Sequence, residues 1–94
     1  MAIITRLSLM DKDTMVIYGD GPDATVWIST IDEICRQIVE SGAPIIDIEL
    51  NTFDTTTTKG MNKLLKRARR IARATGYIIE QSSDRTYFMR QAIQ

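Results

Sequence analysis

Hydrophobic positions alternate with polar ones near both ends of the chain and recur at helical spacing in two stretches between, so strands frame helices. Residues 3–10 (Ile-Ile-Thr-Arg-Leu-Ser-Leu-Met) put Ile3, Leu7 and Leu9 on one side and Ile4, Arg6 and Ser8 on the other, the period of a half-buried strand. Asp11-Lys12-Asp13 supplies turn chemistry, because aspartate side chains bond nearby backbone. Residues 14–19 are β-branched and aromatic, and form a hairpin with the first strand. Asp20-Gly21-Pro22-Asp23 marks a tight turn, and residues 24–28 read as a third short strand.

The pattern then changes period. Ile31, Ile34, Cys35 and Ile38 fall on one helical stripe, with Asp32, Glu33, Arg36, Gln37 and Glu40 opposite. Thr30 and Glu33 make a capping box, Gly42 suits the left-handed residue after the last turn, and Pro44 blocks continuation; the helix is expected over 31–41. A strand over 45–50 points Ile46, Ile48 and Leu50 one way and Ile45, Asp47 and Glu49 the other. Residues 51–60 read as a polar, threonine-rich loop. In 61–75 the apolar residues Met61, Leu64, Leu65, Ala68, Ile71 and Ala72 form one stripe, capped upstream by a loop threonine and ended by Gly76. Strands over 77–82 and 86–92 flank a turn at Ser83-Asp84-Arg85.

The resulting order, β-β-β-α-β-α-β-β, implies an α/β (α+β) two-layer sandwich: a small mixed sheet with two helices on one face. Ninety-four residues suit a single domain spanning 1–94, with a core modest enough that a homodimer is a natural remedy. No apolar run approaches the roughly 18 residues of a membrane span. The N-terminus lacks a cationic segment followed by an apolar one, and a lone Cys35 makes no internal disulfide. A cytoplasmic protein without membrane attachment is the expectation.

Twelve basic and twelve acidic residues cancel, but they are segregated. Ten of the acids lie in the first 54 residues, whereas nine of the bases follow from Lys59 onward. Within 61–75 the face opposite the apolar stripe reads Asn62, Lys63, Lys66, Arg67, Arg69, Arg70 and Arg73, without one acid. Lys63–Arg67, Lys66–Arg70 and Arg69–Arg73 are like-charge pairs four residues apart, each costing about 0.2–0.5 kcal/mol. Phosphate contact explains that choice, with Lys59 and Arg85 as flanking contacts and the arginines suited to bidentate recognition. The expected function is therefore a small non-enzymatic module, accessory or regulatory, that contacts nucleic acid. The alternative is a protein-interaction module or inhibitor that meets an acidic partner surface, or the acidic half of a second copy, through the same helix. A solvated cationic face is the third reading.

Other groups point less far. With no histidine and no cysteine cluster, neither a common general base nor a zinc site is visible, and no cofactor or metal is implied. Thr55-Thr56-Thr57-Thr58-Lys59-Gly60 leads into a helix N-terminus and has the chemistry of an anion cradle, but lacks the phosphate-loop spacing; a cap-rich loop is the simpler reading. Asp47 and Glu49 share a strand face and are read as solvent-facing rather than as magnesium ligands, and Cys35 as a buried, inert thiol. Tyr77 and Tyr87 are read as packing residues, with base stacking as the other option. The stretch from Ile45 to Glu80 resembles the strand–Asp-Ser-x-Gly–helix segment of STAS domains, although Asp54 to Gly60 is longer than that motif. The alternation of elements resembles Alba-like and initiation-factor C-terminal sandwiches that bind nucleic acid, in architecture and not in any motif. Neither resemblance assigns a functional residue.

Overall fold

The computed structural model describes residues 3–10, 15–19, 26–50, 57–83 and 86–92. The elements are β1 (Ile4–Leu9), β2 (Met15–Gly19), β3 (Val26–Ile28), α1 (Ile31–Ser41), β4 (Ile45–Leu50), α2 (Thr58–Thr75), β5 (Tyr77–Ser83) and β6 (Thr86–Gln91). Both helices are closed by local chemistry. Thr30 is extended and accepts from the Glu33 N–H at 3.2 Å; Gly42, at φ 65°, donates its N–H to the Ile38 carbonyl. Thr57 accepts from the Gly60 N–H at 3.0 Å, and Gly76, at φ 80°, donates back to Ala72. Gly42 and Gly76 sit in the left-handed region, where a Cβ is disfavoured.

α2 begins three residues before the expected start, because Thr57 is the threonine that caps it. The cap recruits Lys59 into the helix and places Gly60 at a buried first-turn position.

The six strands form one mixed sheet in the order β3-β2-β1-β4-β6-β5. The only parallel pairing among the described strands, β1 with β4, joins two antiparallel groups at the centre. Following the pairings outward, β3, β1, β4 and β5 all run the same way. The chain therefore makes two crossovers, β3-α1-β4 and β4-α2-β5, and both advance in the same direction along the sheet. The preference for right-handed crossovers then puts both helices on one face, parallel to each other. A single core follows: Leu7, Leu9, Ile17, Ile46, Ile48 and Met89 of the sheet pack against Ile34, Ile38, Leu64, Leu65, Ala68 and Ile71 of the helices.

One strand departs from simple alternation. The register slips between Ile4 and Arg6, so Ile4 joins Leu7 and Leu9 in the core, and Ile3 is exposed instead. An irregularity of this kind turns one side chain to the other face, and strict period-2 reading assigns that residue wrongly.

No described helix covers the opposite sheet face. Register aligns Trp27, Val16, Ser8 and Glu49 in one row across it, and Tyr18, Arg6, Asp47, Phe88 and Glu80 in another. Its charges are largely paired: Arg6 lies 3.6 Å from Glu49 and 4.2 Å from the Tyr18 ring centroid, and Arg90 Nε donates to Glu80 at 2.9 Å. Ser8, fully buried, donates its hydroxyl to Glu49 at 3.0 Å, which satisfies a polar group that burial would otherwise penalise.

Candidate nucleic-acid interface

The apolar stripe of α2 is consumed by the core, where Leu64, Leu65, Ala68, Ile71 and Ala72 are all buried. At 100° per residue, what remains outward is an arc carrying Lys59, Lys63, Lys66, Arg69, Arg70 and Arg73, all exposed, with Arg67 half-buried at its margin. Five of these, Lys59, Lys63, Lys66, Arg70 and Arg73, alternate at spacings of four and three. They therefore share about 80° of arc and run in a nearly straight line about 21 Å long.

Nothing described neutralises that line. Among the described residues, none of the six exposed cations lies within ion-pair distance of a carboxylate. α1 is the acidic helix packed beside α2, and two of its three carboxylates are engaged elsewhere. Arg36 holds Glu33 on one side and Glu40, at 3.2 Å, on the other. Asp32 alone of the α1 acids is exposed without an ion pair among the described residues. Among the described residues, no acid of the first half is paired with the exposed cations of the basic helix.

A shallow groove of about 220 Å³ lies where the two helices meet, lined by Ile31, Lys63, Lys66, Arg67 and Arg70. Its apolar wall is the first residue of α1, a contributor that sequence reading assigns only to the core stripe. Four cationic side chains around one apolar floor make a concave, positively charged surface. Such a surface concentrates anions more strongly than isolated exposed charges do.

Cys35 reports on the same junction. Its half-buried thiol is raised above its ordinary pKa by burial first and by Asp32 second, while Arg70 pulls it down. A neighbouring cation stabilises thiolate, so removing Arg70 removes the one downward influence. In Arg70→Ala, the midpoint pH for alkylation of Cys35 is expected to rise relative to the parent protein, measured as iodoacetamide rate against pH. An unchanged midpoint would mean that Arg70 points away from α1.

The remaining candidates separate clearly. Tyr77 and Tyr87 are 7% and 9% exposed, lie in the core under α2, and are withdrawn from any base; the Tyr77 hydroxyl donates to the Ala43 carbonyl. Of the threonine-rich loop, residues 55 and 56 lie outside the described residues, and the Thr57 hydroxyl serves as the α2 cap. Arg85 likewise lies outside the described residues. Glu49 is taken up by Ser8 and Arg6, which leaves Asp47 as the exposed carboxylate of that pair. Among the described residues, no group of three or more acidic, cysteine or histidine side chains is placed to hold a metal ion. No described helix is long and apolar enough to cross a membrane.

No protein-family model, curated protein or solved structure matches this chain.

Proposed function

We propose that this protein is a small, non-enzymatic, cytoplasmic binding module that contacts nucleic acid through the cationic face of α2, in an accessory or regulatory role. The observation that carries the reading is the row of six exposed cations that no described carboxylate neutralises. A helix that keeps seven cations and no acid forgoes stabilising pairs within itself, and a polyanion supplies partners for the six exposed ones. Each phosphate that replaces a condensed counterion releases that ion to bulk solution. Attraction therefore grows steeply as salt falls.

The chemistry of this face is that of binding alone. Lys63, Lys66, Arg67 and Arg70 surround the groove, while Lys59, Arg69 and Arg73 extend contact along and beside it. The expected result is binding to nucleic acid at low salt, with log affinity falling linearly against log salt at a slope of about −4 to −5 for five phosphate contacts. Gel-shift titrations from low to physiological salt measure it. Absence of binding to duplex DNA, single-stranded DNA and RNA alike sinks the reading. A stoichiometric complex with a protein, abolished by reversing Arg69 and Arg70, would instead assign the face to an acidic protein surface.

A further inference from the structure

We infer that the form of nucleic acid this surface takes is a double strand, held by its phosphates and without sequence readout; the inference rests on the function proposed above and narrows it.

The aromatic residues point away from unpaired strands. Proteins that grip single strands combine a cationic track with aromatic side chains on which bases stack. Among the described residues no aromatic side chain lines the groove, and the one that shares a cleft with an α2 cation, Tyr87 beside Arg69, is 9% exposed. Tyr77 and Tyr87 are buried in the core between α2 and the sheet. Tyr18, Trp27 and Phe88 belong to the opposite sheet face, across the full thickness of the sheet from α2. Arg6 already lies over the Tyr18 ring, and acidic Asp47 and Glu80 flank Phe88 in its row. Among the described residues, a strand lying on α2 meets charge and no exposed stacking platform.

Geometry favours the duplex as well. The five-cation line is straight, about 21 Å long, and built on a helix anchored by five buried side chains. It offers a fixed array to a fixed array. A duplex presents phosphates about every 3.4 Å of axis on each strand, so the line spans about six base-pair steps. A flexible single strand would have to give up its conformational freedom to match the line, with no stacking to offset that loss.

Base reading has few means on this helix. Bidentate recognition of adenine needs asparagine or glutamine, and recognition of cytosine needs a carboxylate. On the outward arc of α2 only Asn62 qualifies, and there is no acid. The remaining donors are lysines and arginines, which can take a guanine edge as well as a phosphate, but their even spacing along a line is the arrangement of backbone contact. Phosphate contacts position a protein without carrying sequence information.

Deoxyribose and ribose duplexes share this phosphate chemistry, and the test includes both. Fluorescence anisotropy with the full chain would compare labelled DNA duplexes of about 20 base pairs in two unrelated sequences, an RNA duplex of the same length, and the corresponding single strands, at matched salt. We expect the two DNA sequences to agree within about twofold, and single strands of either sugar to bind at least about tenfold more weakly than their duplexes. The stronger of the DNA and RNA duplexes identifies the source. Single strands that bind as well as duplexes, or a large preference between the two DNA sequences, would overturn this inference while leaving nucleic-acid binding intact. If none of the probes binds, the proposed function itself falls.

Discussion

Replacing Lys66 and Arg70 together with glutamate is expected to weaken duplex binding by about a hundredfold or more at about 0.1 M salt, because each phosphate contact contributes roughly a factor of ten there. Both residues line the groove, and both belong to the straight cationic line. The log–log salt slope should become shallower by about two, one for each cation removed. Equally informative is what should not change. Both side chains are exposed, and each new glutamate gains basic neighbours three residues away: Lys63 and Arg69 for position 66, Arg67 and Arg73 for position 70. Thermal stability should therefore stay level or rise slightly, which separates loss of binding from loss of fold. Anisotropy titration and a circular-dichroism melt measure the two quantities. A double variant that binds duplex within about threefold of the parent would show that these cations are solvated rather than engaged.

The second large effect lies in the core. Ile46 is fully buried on β4, between the parallel neighbour β1 and the antiparallel neighbour β6, and faces the helices. Ile46→Ala should cost about 2–5 kcal/mol, combining the transfer energy of the removed atoms with the cavity left behind. For a domain of this size that corresponds to a fall in Tm of about 10–25 °C. The adjacent residue supplies the control: Ile45 is 56% exposed on the other face, and Ile45→Ala should stay within about 0.5 kcal/mol. Urea titrations of both variants decide the matter. Equal destabilisation would mean that β4 does not face as described, since a one-residue slip exchanges the two side chains.

The elements most legible in the sequence are those whose boundaries are written in neighbouring residues. α1 runs over the expected 31–41 because Thr30, Glu33 and Gly42 close it locally. Four consecutive threonines offer α2 several possible caps, and local chemistry does not choose among them; docking on the sheet selects Thr57 and draws Lys59 into the cationic line. Ile4 escapes the alternation rule because a register slip belongs to two strands at once. Strand order is out of reach for the same reason. The parallel pairing of β1 with β4 joins residues about forty positions apart, and no local pattern encodes it. At the candidate site the cations are legible as composition, and the apolar stripe shows which way they have to face. That the six exposed cations have no carboxylate partner among the described residues is not legible, because it depends in part on Arg36 engaging Glu33 and Glu40 within α1. Nor is the contribution of Ile31 to the groove, which arises only where two helices meet.

Finally, β5 ends the sheet, and among the described residues its outer backbone edge has no strand beside it. A seven-residue edge strand is an open template on which a second copy can pair. α2 lies over this strand, and Arg69 shares a small cleft with Ile79, Glu80 and Gln81. Two copies joined edge to edge would set their α2 helices side by side, about 10 Å apart, within a Debye length at about 0.1 M salt. The arginines would then repel across the join. The charge proposed to draw in a polyanion would also guard the open edge, and a bound polyanion, by neutralising it, would lower that guard.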